Sequence, residues 1–200
     1  MCFFIGCLGI LLMPDMFYLI NHGNFHQNQW LYLVLFVAFD IFLLFQVRRY
    51  KLANLSWLGV REWGLVVGLL FLTISLLMLY QSLTPQHQSD SSQGIGEILR
   101  YGLTYSFVMD VALLNPIMEE IFMRGLLQGG AFENRWWGLL MTAGIFSIGH
   151  GPSNLFSFGF YALMGMFFGI GYKLTNKMWV PIFLHIGWNS FAVLPLFFVS

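Results

Sequence analysis

Residues 63–83, WGLVVGLLFLTISLLMLYQSL, contain no Asp, Glu, Lys or Arg. A helix needs about 20 mostly apolar residues to cross the hydrocarbon core of a bilayer, and this stretch meets that requirement. The rest of the chain is built the same way. Of its 200 residues 58% are hydrophobic and only 9% are charged, with 22 Phe, 11 Met and 7 Trp. A soluble domain carries about 25% charged residues and uses them as its hydrated shell. So few charges cannot cover a water-facing surface, and the chain reads as an integral, multi-pass membrane protein whose first partner is the lipid bilayer. A formal net charge of zero gives nucleic acid no electrostatic attraction, and none is expected as a partner.

Further candidate spans are residues 1–20, interrupted by Pro14 and Asp15, and residues 30–47, with Asp40 inside. Residues 95–127 read as an interfacial helix followed by a span. Residues 136–149, 154–172 and 178–199 complete the set, so the fold class is an all-α polytopic membrane helix bundle of about six or seven spans. Residues 1–12 lack a basic leading region and a small-residue cleavage site, and read as a retained first span. Cys2 and Cys7 lie in that apolar run without the spacing of a disulfide framework or zinc ribbon, and read as filler. Residues 84–94, TPQHQSDSSQG, form a water-exposed loop. Arg48, Arg49, Lys51 and Arg61 crowd the connection before residue 63 and place it in the cytoplasm. Alternation then puts residues 84–94 outside, Arg135 inside, residues 151–153 outside, and Lys173 and Lys177 inside. Trp30, Trp63, Trp136, Trp137 and Trp179 fall near span ends, as interfacial anchors do. The chain reads as one membrane domain, 1–200, with motif-free N-terminal spans in 1–94 and a core in 95–200. Gly165 and Gly169 form a GxxxG spacing that favours close helix packing within the chain over a dimer contact.

Ionisable groups inside a membrane are costly, so those retained are paired or functional. Asp15, Asp40, Asp110, Glu119, Glu120, Arg124, His150, His185 and Asn189 are the polar residues within candidate spans. Glu120 and Arg124 stand at i and i+4, neighbours on one helix face, and read as a structural ion pair. Glu119 has Met123 at its i+4 position and reads as free. Pro116, three residues earlier, removes a backbone hydrogen bond and bends the helix beside the charge, which calls for a polar cavity rather than lipid. Gly129-Gly130 reads as a break below it. His185 and Asn189, again i and i+4, share a face; they form either part of a site or an interhelical hydrogen-bonded pair. His22 and His26 have metal-pair spacing but lie in a polar turn, where solvated loop histidines are expected. Asp40 and Asp110 are expected to bond within the bundle.

A carboxylate in a partly dry cavity is a better general base for water than one in bulk solvent. Two histidines can hold that water or bind a divalent metal, and an asparagine amide can donate to an oxyanion. These parts describe amide hydrolysis by an activated water. Neither GxSxG nor HExxH is present.

Three motifs follow one another in order: Glu119-Glu120-Ile-Phe-Met-Arg124 as EExxxR, Phe146-Ser-Ile-Gly-His150 as FxxxH, and His185-Ile-Gly-Trp-Asn189 as HxxxN. On successive membrane segments they resemble the type II CAAX prenyl protease family, also called the CPBP or Abi family of glutamate-type intramembrane proteases. The resemblance covers residues 95–200. It implies an all-helical membrane fold with an intramembrane polar cavity. It implies Glu119 as the base that activates water, His150 as a holder of that water, and His185 and Asn189 as oxyanion stabilisers. The family is often labelled metalloprotease; Glu119, His150 and His185 would be the ligands if a zinc were present. Eukaryotic members trim prenylated CAAX proteins, whereas small bacterial members are linked to peptide processing and bacteriocin self-immunity. The resemblance thus implies an intramembrane endopeptidase of the bacterial cytoplasmic membrane acting on a membrane-associated peptide or protein. Two alternatives use the same cavity: a non-catalytic immunity or binding protein, and a small transporter with Asp40, Asp110 and Glu119 along an ion path.

Overall fold

The computed structural model describes residues 25–83 and 108–194. The expected first span, Cys2, Cys7, Asp15, His22 and the polar loop 84–94 lie outside the described residues, as does the side chain of His26. Among the described residues the chain consists of helices and their short connections, with one isolated bridge between Asn54 and Lys177. Helix α1 spans Phe25–Tyr50 and α2 spans Val60–Leu83. A continuous rod, α3, follows in three stretches: wide π-helical Asp110–Leu114, α-helical Asn115–Glu120, and wide π-helical Ile121–Ala131. Helices α4 (Trp136–Gly149), α5 (Leu155–Thr175) and α6 (Trp179–Val193) complete the bundle.

The shape of α3 follows from Pro116. Proline has no N–H to return to the fourth preceding carbonyl. The helix widens ahead of it, and Asn115 N–H reaches Asp110 O, five residues back. Below Glu120 the rod widens again and runs through Gly129-Gly130 to Ala131. The expected break at those glycines is therefore not a break. Gly129 is instead a close approach, because a Cβ there would stand 2.6 Å from the Tyr172 hydroxyl.

Among the described residues two helices, α2 and α5, are both long and apolar enough to cross a bilayer, and α4 is a shorter apolar helix. They sit differently. Helix α2 turns most of its surface outward, with Phe71 73% exposed, whereas the Phe168 side chain of α5 is fully buried. An all-helical bundle with so much bulky apolar side chain outside is built for acyl chains, which ask for no hydrogen bonds. The hydroxyls in these helices satisfy themselves. Thr73 donates to Leu69 O (2.7 Å), Thr142 to Gly138 O (3.0 Å) and Thr175 to Gly171 O (2.7 Å). Such back-bonding removes a polar cost that lipid could not meet.

The basic connections collect at one end, as the charge pattern requires. Lys177 pairs with Glu62 at 3.0 Å, Met178 N–H donates to Asn54 O at 2.9 Å, and Lys173 donates to Asn134 O. Trp136 and Trp137 are exposed beside them. Trp179 differs from the expected anchor: it is half-buried, its indole N–H donates to Leu55 O at 3.0 Å, and it ties the 51–59 connection to α6.

Helix α5 is capped at its start by Asn154, whose side chain accepts from Ser157 N–H, and at its end by Asn176 in the left-handed region. Its GxxxG glycines face α4 and α3 within the chain. A Cβ on Gly165 would lie 3.1 Å from Phe146 and 3.2 Å from the Ala143 backbone; one on Gly169 would lie 3.0 Å from Gln128 and 3.1 Å from Leu139. Gly165→Val should therefore overpack the α4–α5 contact and cost about 1–3 kcal/mol. A lower unfolding midpoint in detergent is the expected readout, and an unchanged midpoint would show that this contact is not tight.

Candidate active site

The α-helical turn of α3 between the two wide stretches carries Glu119 and Glu120. Glu120 and Arg124 form the expected i,i+4 pair, with Nε and Oε2 3.1 Å apart and both side chains fully buried. The two atoms are close but not aligned as a hydrogen bond, so the contact is one of opposed charges. Each group also makes one hydrogen bond to another helix. Arg124 Nη2 donates to Gly165 O at 2.8 Å, and its guanidinium lies 5.3 Å from the Phe146 ring centre and 5.9 Å from that of Phe168. Glu120 Oε1 accepts from His185 Nδ1 at 3.0 Å. The i,i+4 spacing showed the first partner. The second comes from α6, 65 positions away, and no local signal could show it.

Glu119 points the other way around the rod and remains 20% exposed. Its Oε2 lies 3.9 Å from His150 Nε2 and 4.0 Å from His185 Nε2. The acid and two imidazoles singled out in the sequence therefore converge from α3, α4 and α6. His150 caps the C-terminus of α4, and its Nδ1 bonds Phe146 O at 2.8 Å. A carbonyl only accepts, so Nδ1 carries the proton. His185 is 2% exposed, and its Nδ1 faces the Glu120 carboxylate, which likewise calls for a proton there. When neutral, both rings thus turn the lone pair of Nε2 towards Glu119.

Asn189 is placed differently. It shares the His185 face of α6, but its amide donates to Val111 O at 2.8 Å, on the first wide turn of α3. One of its two N–H groups is thereby spent on holding α3 and α6 together. Asp110 accepts a long contact from Asn115 at 3.5 Å. The expected bundle hydrogen bond of Asp40 is not found among the described residues: it is 4% exposed, and neither carboxylate oxygen has a hydrogen-bond partner there.

The site does not fit the zinc that the metalloprotease label implies. Zinc ligands stand about 2.0–2.2 Å from the ion in a tetrahedron, which puts neighbouring donors roughly 3.3–3.4 Å apart. The distances from Glu119 to the two imidazoles exceed that, and no three His, Cys, Asp or Glu side chains among the described residues stand close enough together to hold a metal ion. Polar groups held beyond 3.5 Å are instead spaced for a shared water.

Aromatic rings enclose the site. His150 lies 4.3 Å from Phe146 and stacks on Tyr161 at 4.6 Å. His185 stacks on Phe168 at 4.7 Å and meets the edge of Phe146 at 5.6 Å. Of these rings the sequence motifs included only Phe146.

The class is thus a membrane-type helical bundle holding a carboxylate and two imidazoles in a mostly buried cluster. Residues 101–191 match the model of the type II CAAX prenyl endopeptidase, Rce1-like family. The chain is 30% identical over 109 residues to YdiL of Bacillus subtilis (strain 168), named as a candidate membrane peptidase; the match covers 54% of this chain and 43% of YdiL. It is 24% identical over 178 residues to the UPF0177 protein YvdC of Lactococcus lactis subsp. lactis (strain IL1403), covering 84% of this chain and 68% of YvdC. The chain therefore spans less than half the length of the first of these relatives and about two thirds of the second. No solved structure matches it.

Arg124→Met should strand the buried Glu120 carboxylate and destabilise the fold by about 3–5 kcal/mol. Combining it with Glu120→Gln should cost less than the sum of the two single changes. Denaturant unfolding of all three variants in detergent reads the coupling, and strict additivity would show the pair to be independent.

Proposed function

We propose that this protein is an intramembrane endopeptidase that hydrolyses a peptide bond with a water activated by Glu119. The observation that carries this reading is the convergence of His150 and His185 Nε2 on Glu119 Oε2, at 3.9 and 4.0 Å. A water in this gap donates one hydrogen to the Glu119 carboxylate and the other to His150 Nε2. Its oxygen lone pair is then left for the substrate carbonyl. Attack forms the O–C bond as Glu119 takes the water proton. Collapse of the tetrahedral intermediate breaks the C–N bond, and the proton held by Glu119 passes to the departing amine.

Oxyanion stabilisation is the role of His185 and Asn189. His185 is held in place for this by its Nδ1 contact with the Glu120 carboxylate. Asn189 contributes its second N–H, the first being held by Val111 O. No step is routed through a metal.

The substrate is a membrane-associated peptide or protein. We place the enzyme in the bacterial cytoplasmic membrane as a six- or seven-span protein, on the ~20-residue span rule. The basic end formed by Lys173, Lys177 and the 51–59 connection faces the cytoplasm. Residues 95–200 are the catalytic core and residues 1–94 the accompanying spans. Bacterial peptide processing or bacteriocin self-immunity is the setting proposed.

Glu119→Gln preserves the shape of the side chain and removes the base. Cleavage of a membrane-reconstituted peptide substrate should fall by at least about 100-fold, within the range general-base catalysis supplies, while insertion and the unfolding midpoint stay unchanged. Wild-type turnover in this variant would exclude Glu119 as the base. Turnover should also survive exhaustive chelation, with less than stoichiometric zinc by elemental analysis. Activity lost on chelation and restored by zinc would overturn the metal-free reading.

A further inference from the structure

Helix α5 contributes no residue to the three motifs, yet one of its faces touches both histidines. Tyr161 and Phe168 are seven positions apart, two turns of helix, and therefore lie on the same face. Tyr161 stacks on His150 with ring centres 4.6 Å apart and planes at 30°. Phe168 stacks on His185 at 4.7 Å and 27°. The two contacts are nearly the same in geometry, and they fall on the two imidazoles whose Nε2 atoms face one carboxylate oxygen. Between the rings sits Gly165, whose carbonyl receives Arg124 and whose missing side chain lets α4 approach. Tyr161 is 4% exposed and Phe168 fully buried, so neither ring has room to turn away.

A hydrogen bond at Nδ1 fixes one point of an imidazole and leaves the ring free to swing about it. A ring stacked on its face removes that freedom. Each histidine here has both restraints: His150 has Phe146 O and Tyr161, and His185 has Glu120 and Phe168. We infer that Tyr161 and Phe168 are positioning residues of the active site, a paired aromatic platform on α5 that sets the planes of His150 and His185 and so aims both Nε2 atoms at the reaction space beside Glu119. This rests on the hydrolytic reading given above. The aromatic faces act through the histidines and make no bond to substrate.

The test separates planes from packing. Tyr161→Leu and Phe168→Leu keep a large apolar side chain but lose the flat face; Tyr161→Phe keeps the face and loses only the hydroxyl. A reacting group displaced by about 1 Å can cost 10²-fold in rate. Each Leu variant should lose about 10–100-fold in kcat with KM within about twofold, as expected when alignment rather than binding is lost. Tyr161→Phe should retain wild-type kcat. Substrate capture by each Leu variant carrying Glu119→Gln should match that of Glu119→Gln alone, which shows the cavity is still formed. Wild-type kcat in both Leu variants, with Glu119→Gln inactive, would overturn the platform and leave the hydrolytic reading standing. A loss in Tyr161→Phe equal to that in Tyr161→Leu would also overturn it, since the hydroxyl rather than the ring face would then matter. An active Glu119→Gln enzyme would remove the hydrolytic reading itself. If one Leu variant fails to insert, the other decides.

Discussion

The structure depends on a buried negative charge. Glu120 is fully enclosed and is made tolerable by Arg124 one turn below and His185 from another helix. Arg124, itself fully buried, passes the constraint on by donating to the Gly165 carbonyl and lying against two phenylalanine rings. In lipid, a separated partner would meet no water, so every member holds the others in place. A single carboxylate thereby fixes how α3, α5 and α6 stand relative to one another. Its neighbour Glu119, on the next position of the same turn, inherits that placement.

The helices divide the work. Helix α3 supplies both acids, α4 and α6 supply one imidazole each, and α5 supplies rings and a carbonyl. The wide turns of α3 are part of this division. They accompany the proline in α3, and they set the short α-helical turn bearing Glu119 and Glu120 between two π-helical stretches. Departures of this kind from regular helix occur mostly at functional sites, because they re-aim side chains that an ideal helix would point elsewhere.

The polar groups outside the site follow a different rule. Hydroxyls in the helices bond back to their own backbone, and charged residues collect at one end, where lysines and tryptophans meet the connecting segments. Asp40 and Asp110 stand apart from that rule. They are buried carboxyls near the α1–α3 contact, and no basic side chain among the described residues pairs with either.

The sequence alone determined the solvent, the helical class and the ion pair, and it singled out the acid and the imidazoles that the fold brings together. These are properties of composition and of spacing along one helix, where i and i+4 must be neighbours whatever the fold. It also gave the common end of the basic connections, since charge must stay out of lipid. Tertiary structure decided what joins one helix to another: His185 on Glu120, Asn189 on Val111, the rings of α5 on both histidines, and donor distances too long for zinc. It also kept α3 helical through Gly129-Gly130, because Tyr172 packs into the space that the missing side chain leaves. The reason is physical. Spacing along a helix fixes direction around one axis, but the distance between side chains on different helices is set by how the axes pack, and that packing depends on contacts made by the whole chain at once.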